Sequence, residues 1–250
     1  MATEQSSGSF RGGRFTGADL SGSTWRDCDL RGMKVVDSWL IDVAVSGLVE
    51  RFVVNDVDVA GFVEAELDRR HPERVQVREM RTPDDHRATW ASIERLWDDT
   101  VARAHRLPEP ALHERVDDEW SLVETLRHLV FVVDAWASRT VLDDPAPYHR
   151  LGYTHSSYPP ADAAAIGVDL AATPSFDEVL EVHLDRLAVV RGIVDGLADD
   201  ELERSCSRTP APGYPEVPHT VRHCLHTVML EQTEHHRYAV RDLAVLETRA

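Results

Sequence analysis

Three side chains in this sequence have the types and spacing to hold one metal ion. Glu231 and His235 lie four residues apart. On a helix that spacing stacks a carboxylate and an imidazole one turn apart on one face. His128, far upstream, supplies a second imidazole from another element. Three protein ligands leave a coordination position open for water or substrate, as in catalytic zinc sites. An ion held there would lower the pKa of a coordinated water or thiol and present it as a nucleophile near neutral pH.

The elements that must position these residues are helical. Thr82 to Asp85 reads as an N-cap, a proline at the first helical position and acid in the first turn, and predicts a helix to about His105. Ser121 and Glu124 form a capping box that opens a helix to about Leu142, ahead of Asp143, Asp144 and Pro145. Thr173 and Pro174 open a third, to about Gly196, and a short turn of helix follows in 198–204. The last runs from about His219 to Thr248. Four amphipathic helices of this length make a bundle. The connections 143–172 and 204–218 are long and Pro-rich, so they are the expected pocket walls, with Arg150, His155 and Tyr158 as candidate loop contacts.

Helical angles test the site. With His128 at zero, Val132, Trp136, Leu129, Leu122 and Leu126 fall between about 40° and 160°. His128 is then at the edge of the buried face, while Arg127, Glu124 and Asp134 fall on the other side. With Glu231 at zero, His235 lies at about 40°, beside an apolar arc of Val228, Val221, Ala239, Leu225 and Leu243. The similarly spaced His219 and His223 fall on the polar side and read as solvated. Gln232 with His236 is the serious rival, since both lie near the apolar arc. A neutral amide is a poor ligand for zinc or nickel, which favours Glu231 with His235 and leaves His236 to support the ligands from behind. On spacing alone, a surface polar pair and a satisfied core histidine remain open alternatives.

The stretch Trp120 to Val130, containing His128, followed by Glu231 to Leu243, resembles the DinB/YfiT-like superfamily of metal-binding four-helix bundles. The usual ligands of that family are a histidine in the second helix and a pair of histidines four residues apart in the last. Here the first of that pair is Glu231, a departure. In this it resembles the branch of mycothiol-dependent maleylpyruvate isomerase, which binds zinc through His, Glu and His. The resemblance implies His128, Glu231 and His235 as metal ligands over residues 82–250, zinc or nickel as the metal, and a low-molecular-weight thiol such as mycothiol as co-substrate. The expected function is a metal-dependent thiol S-transferase or isomerase acting on a small electrophile. Metal-assisted hydrolysis is one alternative. The other is a non-catalytic metal-binding interaction protein.

Ahead of the helices the period changes. From Phe10 a large apolar residue recurs every fifth position: Phe15, Leu20, Trp25, Leu30, Val35, Leu40 and Val45. Mostly small residues precede them by two, among them Gly8, Gly13, Ala18, Ser23 and Cys28. Neither a helix nor a strand has that period. It fits a chain that turns a corner every five residues and points the same position inward, which makes Cys28 an expected core residue. The run Ala18-Asp19-Leu20 makes the segment resemble a pentapeptide-repeat protein, a right-handed four-sided β-helix. The resemblance covers 8–62, with the register broken at Glu50 and expected to resume at Val54 and Val59. The charged stretch 63–81 reads as a linker that begins as a short helix. The whole is thus mainly α: a short β-helix, a linker and a four-helix bundle over 82–250.

Bulk properties narrow the partners. Of 250 residues 42% are hydrophobic, enough for a sizeable core. The net charge is −17, from 44 acidic and 27 basic side chains, which argues against nucleic acid and anionic membranes. No run of about 18 apolar residues predicts a membrane span. Residues 1–13 are polar, with no signal-peptide pattern. The three cysteines, Cys28, Cys206 and Cys224, form no C-x-x-C pair, which fits a reducing cytoplasm. A homodimer through the N-terminal segment stays open.

Overall fold

The structure, a computed structural model, describes residues 9–26 and 28–249. They fall in two compact units, Met1–Val49 and Glu50–Ala250.

In the first unit the period of five belongs to the backbone. Left-handed φ angles occur at Gly12, Gly17, Gly22, Gly32, Asp37, Asp42 and Gly47. Gly12, Gly22 and Gly32 each take the third position of a turn. These turns close from Gly13 N to the Phe10 carbonyl (2.8 Å), Ser23 N to Leu20 (3.2 Å) and Met33 N to Leu30 (3.0 Å). That position demands positive φ, which glycine adopts without steric penalty. The expected inward packing is not found. The apolar series is exposed, from 41% at Leu30 to 60% at Leu40, and Cys28 is exposed rather than core. Among the described residues of this unit there is no strand, so the coils of a β-helix are not formed by strand pairing. Gly8 lies outside the described residues.

The second unit opens with a hairpin, β1 (Val53–Val54) paired to β2 (Val57–Asp58). Asn55 and Asp56 at the tip are both left-handed, the twist a two-residue hairpin turn favours. This hairpin replaces the resumed five-residue register expected at Val54 and Val59. The stretch expected as a linker is largely helical. α1 (Ala60–Arg70) ends at His71, and Pro72 starts α2 (Pro72–Glu79) because proline suits the first helical position. α1 buries nothing, whereas α2 packs on α3 and α8 through Val77.

The bundle helices are α3 (Pro83–Ala104), α5 (Leu122–Val133), α7 (Phe176–Gly196) and α8 (Val221–Arg249). Short α4 (Glu109–Leu112) and α6 (Pro160–Ala165) lie in the connections. Thr82 with Asp85, Ser121 with Glu124 and Ser175 with Glu178 are reciprocal capping boxes. The third helix starts at Ser175 rather than Thr173, because the Ser175 and Glu178 side chains satisfy the first-turn N–H groups that Thr173 would leave open. α3 packs on α7 and α8, and α5 packs on the same two, so α3 and α5 are diagonal. Trp90, Ile93 and Trp97 of α3 meet Leu126 and Leu129 of α5, Val190 of α7 and Leu225 and Met229 of α8 in one core.

α5 continues as a π-helix, Asp134–Val141. Its wider turn lets the Thr140 hydroxyl donate to the Ala135 carbonyl at 2.8 Å. Nearly all of α5 is buried, including Arg127 and, at its end, Asp134, the residues expected on a polar face. The reason is the 143–172 connection, which folds over that face: the Tyr153 N–H donates to the Arg127 carbonyl and the His149 N–H to Asp134. Among the described residues no helix is long and apolar enough to cross a membrane.

Candidate metal centre

The core helices bring the three spaced residues together. His128 comes from the middle of α5, and Glu231 and His235 from the middle of α8, which packs directly on α5. One ligand atom from each lies within 4.8 Å of the other two. Glu231 Oε2 is 3.2 Å from His235 Nε2 and 3.6 Å from His128 Nε2. Among the described residues no fourth His, Cys, Asp or Glu joins this group.

The tautomer of His128 follows from its other nitrogen. Nδ1 lies 2.9 Å from the Tyr153 carbonyl, which can only accept. Nδ1 therefore carries the proton, and Nε2 keeps its lone pair toward Glu231. A carbonyl behind a ligating imidazole is the usual outer-shell support of a metal site. Burial pushes His128 below its ordinary pKa, which keeps the ring neutral and available as a ligand. Burial alone would raise Glu231. The closer imidazole, His235 at 3.2 Å, outweighs it and holds the carboxyl well below the usual range. Two neutral nitrogens and one carboxylate fit a borderline divalent ion such as zinc.

Aromatic rings fix the surroundings. Trp120 stacks on His235 at 5.8 Å and 11° between planes, and its centroid is 4.8 Å from His128. Tyr153 meets Trp120 edge-on at 5.6 Å. Glu231 keeps 36% of its side chain exposed, so the open side of the site is the carboxylate side. The long connections do wall it. His155 Nε2 is 3.0 Å from the Tyr214 hydroxyl, and the Glu231 charge reaches both residues. Burial pushes Tyr214 up to about 12. Tyr158 is buried and donates to the Pro212 carbonyl, tying the two connections together. Arg150 is exposed and takes no part.

The rival register is turned elsewhere. His236 Nε2 bonds to α3, at 2.8 Å from Thr100 Oγ1 and 3.1 Å from the Leu96 carbonyl, so it does not support the ligands. Gln232 is fully buried, and among the described residues neither amide atom has a hydrogen-bond partner. His223 is exposed and His219 half-buried; they stack on each other at 4.9 Å and meet Trp136 edge-on. Sequence reasoning missed Arg127, Tyr153, Trp120 and Tyr214 as parts of the site. Trp120 lies just outside α5, where helical angles do not reach, and Tyr153 acts through its backbone, which no side-chain pattern reports.

No curated protein and no solved structure matches the chain. A family model described as the DinB superfamily matches residues 92–239, a span holding all three clustered residues and more than half of the sequence. The chain belongs to the DinB superfamily.

Proposed function

We propose that this protein is a metal-dependent thiol S-transferase or isomerase, with zinc held by His128, Glu231 and His235. The observation that carries the reading is a cluster of three ligands with a partly open carboxylate side. When bound, a divalent ion supplies the charge that keeps a thiol ionised near neutral pH. The chain's own residues do the rest. The Tyr153 carbonyl orients His128, and Trp120 braces both imidazoles from one side. His155 and Tyr214, hydrogen-bonded to each other beside Glu231, are placed to hold a proton or a polar substrate group.

Glu231 in place of a histidine supports a mycothiol-like co-substrate, through the resemblance to the isomerase branch. The partly buried site and the free, unpaired cysteines agree with a cytoplasmic enzyme of small molecules. For residues 8–62 the returning left-handed turns support a pentapeptide-type segment up to Val49. The test is metal analysis of the purified protein with product analysis plus and minus thiol. The reading expects near-stoichiometric zinc, and turnover of a test electrophile that needs both thiol and His128. Turnover without thiol would favour hydrolysis, and no metal in the wild type would end the proposal.

A further inference from the structure

A second cavity, separate from the metal centre, lies where α8 begins. It has a volume of about 280 Å³ and is lined by Arg78, Arg81, Arg222, His86, His223 and His226, with Met80 and Thr220. Among the described residues no carboxylate lines it, in a chain of net charge −17. Arg222 and Glu231 are nine residues apart on α8, roughly 14 Å along the axis at 1.5 Å per residue.

The charge is only partly compensated. Arg78 pairs with Asp68 at 2.7 Å and Arg222 with Glu203 at 2.7 Å. The Arg81 guanidinium rests on the carbonyls of Arg78 and Met80. Among the described residues the Arg81 guanidinium alone of the three has no carboxylate at ion-pair distance, while Glu64 and Glu79 act on Arg78, and Asp85 on His86, from outside the lining. The N-terminal end of α8, whose first turn holds no acid, adds the positive end of a helix dipole.

His86 shows what the ligand must bring. It is fully buried, and its Nδ1 is 2.7 Å from the Thr82 carbonyl, which can only accept. Nε2 is therefore a bare acceptor, without a hydrogen-bond partner among the described residues. Burial, with the charges of Arg222 and His226, holds this ring below its ordinary range and so neutral. A buried acceptor without a donor costs about 1–3 kcal/mol. A ligand that satisfies it needs an O–H donor together with anionic oxygens for the arginines. Carboxylate and sulfate carry no such hydroxyl near neutral pH; a monoprotonated phosphate does.

We propose that this cavity is a phosphate site, taking a monoprotonated phosphate group against His86, Arg81, Arg222 and the start of α8. The volume, at the lower edge of the range of about 300–1,000 Å³ for ligand pockets, suits the free ion or the head of a small monoester.

The test is calorimetric titration of the full-length protein with inorganic phosphate, methyl phosphate and sulfate, at slightly acidic pH and fixed ionic strength. Saturable one-to-one phosphate binding is expected, with sulfate weaker by about tenfold, the value of one charge-assisted hydrogen bond. Methyl phosphate binding as well as phosphate identifies a monoester pocket, and its exclusion identifies the free ion. Arg81→Gln should weaken binding about tenfold while metal content and circular dichroism stay as in the wild type. Should that variant not fold, Arg222→Gln is read in its place. No saturable binding by the wild type, sulfate equal to phosphate, or a folded Arg81→Gln that binds as the wild type does, each overturns the proposal. None of these readings depends on the metal centre.

Discussion

Replacing Arg127 tests how the site is held together. Its guanidinium is buried on α5, next to His128 in sequence. It donates from Nε to the Leu151 carbonyl at 2.9 Å, from Nη1 to Ala172 at 2.7 Å and from Nη2 to Asp169 at 2.6 Å, with a long fourth contact to Gly152 at 3.4 Å. All four acceptors lie in the connection that carries Tyr153, whose carbonyl orients His128. Hydrogen bonds to a charged group contribute about 1.5–3 kcal/mol each, so three good ones give about 4.5–9 kcal/mol. Burying a guanidinium without a carboxylate opposes this by several kcal/mol. Arg127→Met removes both terms but orphans three carbonyls, each worth about 1–3 kcal/mol. The connection can swing outward to hydrate them, so the lower edge, about 3 kcal/mol, is expected in urea unfolding. Loss of the Tyr153 support should weaken metal binding by about 10–100-fold in a chelator competition. Arg127→Lys should rescue neither, because an ammonium cannot span carbonyls spread over this fork. A variant within about 1 kcal/mol of the wild type and with unchanged metal affinity would refute the reasoning.

Zinc at a hundredfold excess over its Kd should stabilise the protein by about 2.7 kcal/mol. For a unit of this size that raises Tm by about 5–11 °C; the shift should vanish with chelator or in His128→Ala, and a shift that survives His128→Ala would place the ion elsewhere. Asp134 is buried against Arg186 and the His149 N–H, and burial raises its pKa to about 6 from 3.8. Because the folded value is the higher one, its contribution is present below pH 3.8 and lost as pH rises through about 6. The loss is about 3 kcal/mol for a shift of about two units. Asp134→Asn should therefore flatten the stability profile between those values, and parallel profiles would show that another group titrates there. Gln232→Met removes a buried amide without a hydrogen-bond partner among the described residues. It should leave stability unchanged or raise it by about 1–2 kcal/mol with metal content intact; a loss of metal would return the rival ligand register.

The parts of this fold that were legible in the sequence are those written as periods and caps. The boundaries of α3 and α8 follow from Thr82, Pro83 and the apolar arc of Val228, Leu225 and Leu243, and these two elements with α5 suffice to unite His128 with Glu231 and His235. Where the periodic reading failed, a connection had covered a face. Arg127 and Asp134 look like a solvated stripe on α5, yet the 143–172 connection buries both. No window of local sequence reports that burial, because the covering backbone comes between 15 and 45 residues later. The five-residue period was legible as turns and misleading as packing. Glycine and aspartate at seven of the fifth steps take left-handed φ, but nothing in the period alone says what Leu20 or Leu30 packs against.

The glutamate among the ligands has a consequence in charge. A divalent ion with three neutral imidazoles carries two positive charges, whereas with His128, Glu231 and His235 it carries one. A single anionic ligand then makes the whole group neutral, which a site beside the buried His128 favours, because residual charge there is desolvated at a cost. The same count explains why the alternative register fails: Gln232 and His236 bring no negative charge, lie in the core, and leave a bound cation uncompensated. It also sets the direction of access. Glu231 is the most exposed of the three, and it faces the connections that carry His155 and Tyr214, so an anionic ligand approaches the side where protein charge is already negative. With the ion bound the group keeps one positive charge, so this side attracts a single anionic ligand rather than repelling it. The His155 and Tyr214 pair, hydrogen-bonded to each other at 3.0 Å, lies within reach of the Glu231 charge on this side. Charge at the site therefore favours one anionic ligand on the carboxylate side, which cancels the charge that Glu231 leaves on a bound divalent ion.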